Sequence, residues 1–204
     1  MTPVKVGLVV EGHGEVKAAP ILFRRIANDI DPTVNLEVLQ PIRRPRGSLV
    51  NKPDEHELER AVELAALKAR PRGGVFVLLD SDDDCPAELA PRLLARAEPA
   101  GMGLPVSVVL PQREFECWFL AAAESLAGRG ELPNDLSAPV DPESIRGAKE
   151  WLSSKMPQQV RYVETRHQKE FSRLMDINQA RRSRSFRKFE KEIGKLIADR
   201  YAST

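Results

Sequence analysis

The chain has 204 residues, of which 42% are hydrophobic and 30% charged, a composition suited to a globular protein with a sizeable core. No stretch approaches the ~18 uncharged apolar residues of a membrane span. Met1-Thr2-Pro3-Val4-Lys5 runs straight into a strand-like segment, and Cys85 and Cys117 form neither a disulfide framework nor a zinc-ligand spacing, so the expectation is a cytoplasmic protein with no signal peptide and no membrane partner. The net charge of +1 divides unevenly, with 16 Lys/Arg against 23 Asp/Glu in residues 1–144 (−7) and 15 against 7 in residues 145–204 (+8).

Val4 to Val10 is an apolar run of the kind found in a buried parallel strand, and it ends at Glu11-Gly12-His13-Gly14-Glu15. A helix is expected from Val16 to Ile30, where Ile21, Leu22, Ile26 and Ile30 form an apolar stripe. Asn35 to Ile42 reads as a second strand, and Arg43-Arg44-Pro45-Arg46-Gly47-Ser48 as a basic loop. A helix over His56–Ala69 precedes the strand Val75–Leu79, which ends in Asp80-Ser81-Asp82-Asp83-Asp84. The helix Pro86–Glu98, the strand Pro105–Leu110 and the helix Glu114–Ala127 follow. Beyond Gly128 come a polar connection and three helical patterns, Pro142–Lys155 with Asp141 as N-cap, Glu164–Asp176 and Ser185–Tyr201.

Strands alternating with helices predict an α/β fold with a mainly parallel, Rossmann-like sheet of about four strands and helices on both faces. Residues 1–127 would form this body, and residues 128–204 a helical C-terminal extension packed on it.

In such a sheet, function collects beyond the carboxyl ends of the strands. Two of these ends are acidic here. Glu11 and Glu15 follow the first strand, and Asp80 to Asp84 follow the third. Carboxylates without a nearby Cys/His cluster favour Mg²⁺ or Mn²⁺ over zinc, and several at one sheet edge repel each other unless a cation neutralises them. If the extended geometry continues past the strand, Asp80, Asp82 and Asp84 face one ion while Asp83 turns outward, although for Asp84, just before Pro86, capping of the following helix is the favoured role. The glycines around His13 match neither the dinucleotide fingerprint nor the P-loop. Arg181, Arg182, Arg184, Arg187 and Lys188 lie within eight residues, and phosphate contacts by Arg182, Arg184, Arg187 and Lys188 would suit a nucleic-acid partner. His56 and His167 are expected on exposed helix faces, and Trp118 and Trp151 in the core.

Val9-Val10-Glu11-Gly12-His13-Gly14-Glu15, followed by Leu79-Asp80-Ser81-Asp82, resembles the Toprim (topoisomerase–primase) domain, which has a glutamate after its first strand and an Asp-x-Asp pair after its third. The chain is most similar to the small Toprim-like proteins of the domain of unknown function 4276 family, related to the nuclease domain of the overcoming-lysogenization-defect (OLD) proteins. Arg113-Glu114-Phe115-Glu116-Cys117-Trp118 and Ser183-Arg184-Ser185-Phe186 resemble two further elements of that family. The resemblance implies a Toprim-like sheet, a Mg²⁺ (or Mn²⁺) site and phosphodiester chemistry. It assigns Glu11, Asp80 and Asp82 to the acidic core and Glu15 to its extension, with Glu114, nearer the sheet end than Glu116, as a further catalytic carboxylate. Lys149, Lys155 and Lys169 are candidates for the lysine that OLD-type nucleases add. An ATPase encoded nearby would be a partner in phage defence. The alternative is a non-catalytic nucleic-acid-binding or ATPase-partner protein with a vestigial site. A haloacid-dehalogenase-type phosphohydrolase with Asp80 as nucleophile fits poorly, because that aspartate normally follows the first strand.

Overall fold

The computed structural model describes residues 3–202, and side chains as far as residue 199. A parallel sheet is built from β1 (Val4–Val10), β2 (Leu36–Val38), β3 (Ile42–Arg43), β4 (Gly73–Leu78) and β5 (Val106–Val109). Its order is β2-β1-β4-β5, with β3 also paired to β1. The fold is therefore α/β and Rossmann-like, with five strands. The fifth arises because the expected strand Asn35–Ile42 is interrupted. Pro41 has no N–H to donate to a ladder, so the segment pairs with β1 as two pieces, Val4 opposite Leu36 and Val9 opposite Ile42.

Alternation along the strands separates two cores. Val6, Leu8 and Val10 of β1 and Phe76 and Leu78 of β4 face one side. They meet Leu22, Phe23 and Ile26 of α1 (Glu15–Ile30) and Phe186, Phe189 and Ile193 of α9 (Arg184–Ala202). Val9, Val75 and Val77 face the other side, against α3 (Glu57–Ala69) and α4 (Pro86–Ala97). Gly7 allows α3 its close approach, since a Cβ there would lie 2.9 Å from that of Ala65.

A short α2 (Arg46–Val50) begins within the segment expected as a basic loop and runs two residues past it. Within the helix expected over Glu114–Ala127, only Cys117–Ala121 is α-helical (α5), and a 3₁₀ turn follows over Ala123–Leu126. The helix expected from Pro142 begins at Ala148 (α6, Ala148–Lys155). Gly147 precedes it at φ +69°, and Asp141 closes a local turn by accepting the Glu143 N–H. Two more helices, α7 (Glu164–Leu174) and α8 (Ile177–Ala180), complete the chain before α9. Asp176 caps α8 through the N–H groups of Asn178 and Gln179. Among the described residues no helix is long and apolar enough to cross a membrane.

Candidate metal centre

The ends of β1 and β4 lie side by side, because Val10 pairs with Leu78. Glu11 follows directly on β1, Glu15 opens α1 one turn later, and Asp80 lies two residues past β4. One carboxylate oxygen from each of these three residues lies within 4.8 Å of those of the other two. Glu15 and Asp80 are almost fully buried, at 3% and 4% exposure. Glu15 Oε2 accepts the N–H groups of Glu11 (3.2 Å) and Gly12 (3.1 Å), which fixes the turn. Asp80 Oδ1 accepts the Phe115 N–H at 2.7 Å, tying the end of β4 to the segment after β5. Gly14 admits α7 beneath this turn, since a Cβ there would meet Gln168 Oε1 at 2.1 Å.

Burial, reinforced by neighbouring negative charge, pushes these carboxyls above their ordinary range. Glu11 rises to about 7, through burial and then the Asp82 carboxylate. Glu15 rises to about 8, through burial and then Glu11. Asp80 is pushed well up by burial, Glu15 and Glu11.

A fourth carboxylate, Glu116, is fully buried and accepts hydrogen bonds from Tyr162 Oη (2.9 Å) and Gln168 Nε2 (2.8 Å). Burial raises it to about 7, while Lys149 opposes the rise. Lys149 pairs with Glu164 at 2.6 Å, and Glu116 and Asp80 add to the negative field that holds its charge against the cost of burial. Among the described residues, Glu11 Oε2 and Glu116 Oε2 are buried without a hydrogen-bond partner. Buried carboxylate oxygens left without a proton donor, in an oxygen-only donor set, fit a hard divalent cation. Beside them, Lys149, Ser153, Tyr162 and Glu164 line a shallow pocket of about 410 Å³.

The expected site is redistributed by the local backbone. Alternation does not continue past β4: Asp82 adopts φ +50°, and the Asp84 N–H closes a turn on Ser81 O. Arg46 binds the carbonyls of Asp80 and Ser81, and its guanidinium also pairs with the exposed carboxylates of Asp82 (3.3 Å) and Asp84. Asp82 therefore borders the triad, close enough to act on Glu11, and Asp84 is bound to Arg46. Of the two glutamates after β5, Glu116 and not Glu114 acts on the charges of the triad. Glu114 accepts the Lys149 N–H at 3.2 Å, whereas Glu116 enters the buried carboxylate group, because Phe115, Cys117 and Trp118 turn into the core around it.

In the C-terminal basic run, Arg182 pairs with Glu124 and Lys188 with Glu192, Arg187 donates to the carbonyls of Arg181 and Arg182, and Arg184 is exposed. His13 is exposed. His167 is buried, not exposed as expected: its Nδ1 accepts the Val163 N–H at 2.7 Å, and its ring stacks on Tyr162. Trp118 is core, stacked on Phe189 with ring centroids 5.3 Å apart, and Trp151 is half-buried. Cys117 is buried, which raises its thiol well above the ordinary value.

Glu116, Tyr162 and Gln168 carried no sequence signal strong enough to assign them. The Glu-x-Glu spacing marks both glutamates alike, and order along the chain favours Glu114, which lies nearer the sheet end. Lys149 stood among three lysines with nothing local to separate it from the other two.

No match to the chain was found among curated proteins or among solved structures. The family model described as Domain of unknown function (DUF4276) matches residues 10–194, which takes in both acidic strand ends, Glu116 and most of α9. The chain belongs to the DUF4276 family.

Proposed function

We propose that this protein is a divalent-metal-dependent nuclease acting on nucleic-acid phosphodiesters. The observation that carries the reading is the convergence of Glu11, Glu15 and Asp80, from two adjacent strand ends, to within 4.8 Å at the carboxyl edge of the sheet. The Toprim-like order of motifs in the sequence supports it, with Mg²⁺ or Mn²⁺ as the metal. Glu11, Glu15 and Asp80 would hold the cation, and Glu116 would add charge behind them. A bound divalent cation supplies Lewis acidity toward water and toward the oxygens of the scissile phosphate. Lys149, charged beside Glu116 and Asp80, places a cation at the margin where negative charge grows on the phosphate. The buried Phe115, whose N–H binds Asp80 Oδ1, helps to hold that carboxylate in place. An ATPase encoded nearby is the partner proposed on the same resemblance, in a phage-defence pair.

The test is cleavage of labelled DNA and RNA in Mg²⁺, Mn²⁺ or EDTA by the wild type and Asp80→Asn. Cutting that needs metal and falls at least about 100-fold in the variant is expected. Cutting that survives EDTA, or is equally fast in Asp80→Asn, would overturn the reading.

A further inference from the structure

We propose that Arg113 and Arg146 form the seat of a backbone phosphate of a nucleic-acid strand, and that Asp83 fills this seat until the strand displaces it. The inference rests on the phosphodiester reading above and names how the substrate is held.

The Asp83 carboxylate is shared by two guanidinium groups. Arg113 Nη1 lies 3.1 Å from Oδ1, while Arg146 reaches Oδ1 through Nη2 at 2.7 Å and Oδ2 through Nη1 at 3.2 Å. Two guanidinium groups around one oxyanion are the arrangement that takes a phosphate, and arginine binds phosphate through paired N–H donors. Asp83 and Arg146 are 69% and 70% exposed, so their pairing contributes little to stability and exchanges readily with an incoming anion.

Arg113 is the more constrained partner. Its backbone sits at φ +62°, a conformation that a long side chain rarely adopts without a reason. It is pinned on both sides, since its N–H donates to Ser81 Oγ at 2.7 Å and its carbonyl accepts the Asp82 N–H at 3.0 Å. Arg113 Nε is buried with no hydrogen-bond partner among the described residues, so part of its donor fork is unused. Arg113 Nη1, which faces the exposed Asp83 carboxylate, is the donor that an incoming phosphate oxygen takes over.

The seat adjoins the carboxylate triad. Ser81, which pins Arg113, is next to Asp80, and the Phe115 N–H two residues on binds Asp80 Oδ1. Lys149, three residues after Arg146, faces Asp80 and Glu116. A strand phosphate in place of the Asp83 carboxylate therefore lies beside the loop that carries Asp80, at the rim of the proposed metal centre. Most of the C-terminal basic run is committed within the chain, so this rim is the better supported place for the strand.

The test is fluorescence anisotropy of a labelled single-stranded DNA and an RNA of the same sequence, in EDTA so that nothing is cut. Arg146→Ala should weaken binding by about three- to tenfold and lower the salt slope by about one. Asp83→Asn, which frees both arginines, should tighten binding by about two- to fivefold. Lys68→Ala removes an exposed charge from the last turn of α3, at the opposite edge of the sheet, and should leave affinity within about twofold. Anything other than opposite shifts for Arg146→Ala and Asp83→Asn overturns the proposal, as does failure of the wild type to bind either strand. Binding with these opposite shifts but without cleavage in any metal counts against the nuclease reading alone.

Discussion

Asp80 accepts the Phe115 N–H while facing Glu11 and Glu15, so one side chain both fixes the loop geometry and adds to the crowding of charge. An amide keeps the acceptor and removes the charge. Asp80→Asn should therefore stabilise the metal-free protein by about 1 kcal/mol in urea unfolding while abolishing tight cation binding. An unchanged or lowered unfolding midpoint would show that the carboxylates do not strain the fold. Burial also raises Glu11, Glu15 and Glu116 above the usual carboxylate range. Each binds its proton more tightly in the folded chain, so its contribution is fully present below about pH 4.5 and is lost as pH rises through about 7 to 8. The urea midpoint of the metal-free protein should fall between about pH 5 and about pH 8.5, and added Mn²⁺ should restore more of it at the upper end, where no proton competes. A midpoint that rises over that range would contradict the burial of these groups. At this scale, the acids at the strand ends were legible because a strand end sets a side chain's position by order along the chain alone. Asp82 was misplaced because a left-handed backbone interrupts alternation, and a non-glycine residue gives no warning of that. Tyr162 and Gln168 were illegible because their contact with Glu116 bridges distant segments.

The turn from β1 into α1 depends on how closely α7 approaches it. Gly14→Ala drives a methyl into Gln168 Oε1 and toward the Glu164 carbonyl, at 2.1 and 2.8 Å, so it should destabilise the protein by about 2 kcal/mol and loosen Glu15. Thermal unfolding checks this, and a melting temperature equal to wild type would mean that α7 is not seated as described. α5 is anchored differently, by Trp118 stacked on Phe189 and donating through Nε1 to Ser185 Oγ at 2.9 Å. Trp118→Ala should cost about 3–5 kcal/mol in the same measurement. Strands and long helices were readable from their periodicity. The details that were not were decided by single residues: Pro41, which splits one strand in two, and Gly147, whose positive φ delays α6 beyond the Asp141-Pro142 signal.

Across the whole molecule, the helical C-terminal region is part of the main core. Phe171, Phe186, Phe189 and Ile193 share one apolar cluster with β1, β4 and α1, and Phe189 meets Phe23 with ring centroids 5.8 Å apart. A chain cut after Ala180 should therefore lose its cooperative unfolding transition, followed by circular dichroism, because it leaves one face of the sheet open to water. A sharp transition in the shortened chain would show that residues 3–180 make a sufficient core. The opposite charge of the two halves, plain in the sequence, is spent partly on holding them together, through Arg181 with Asp29 and Arg182 with Glu124. Net charge shows that the halves attract, but it cannot tell internal pairing from binding of an outside polyanion.

The central claim is that Glu11, Glu15 and Asp80 together hold a divalent cation. Titration of Mn²⁺ into metal-free protein at about pH 8, followed by calorimetry, addresses it without any assumption about substrate. One saturable site in the wild type, weakened at least about tenfold in Glu15→Gln and in Asp80→Asn with both variants folded, is the predicted result. No saturable binding by the wild type, or equal affinity in all three proteins, would contradict it.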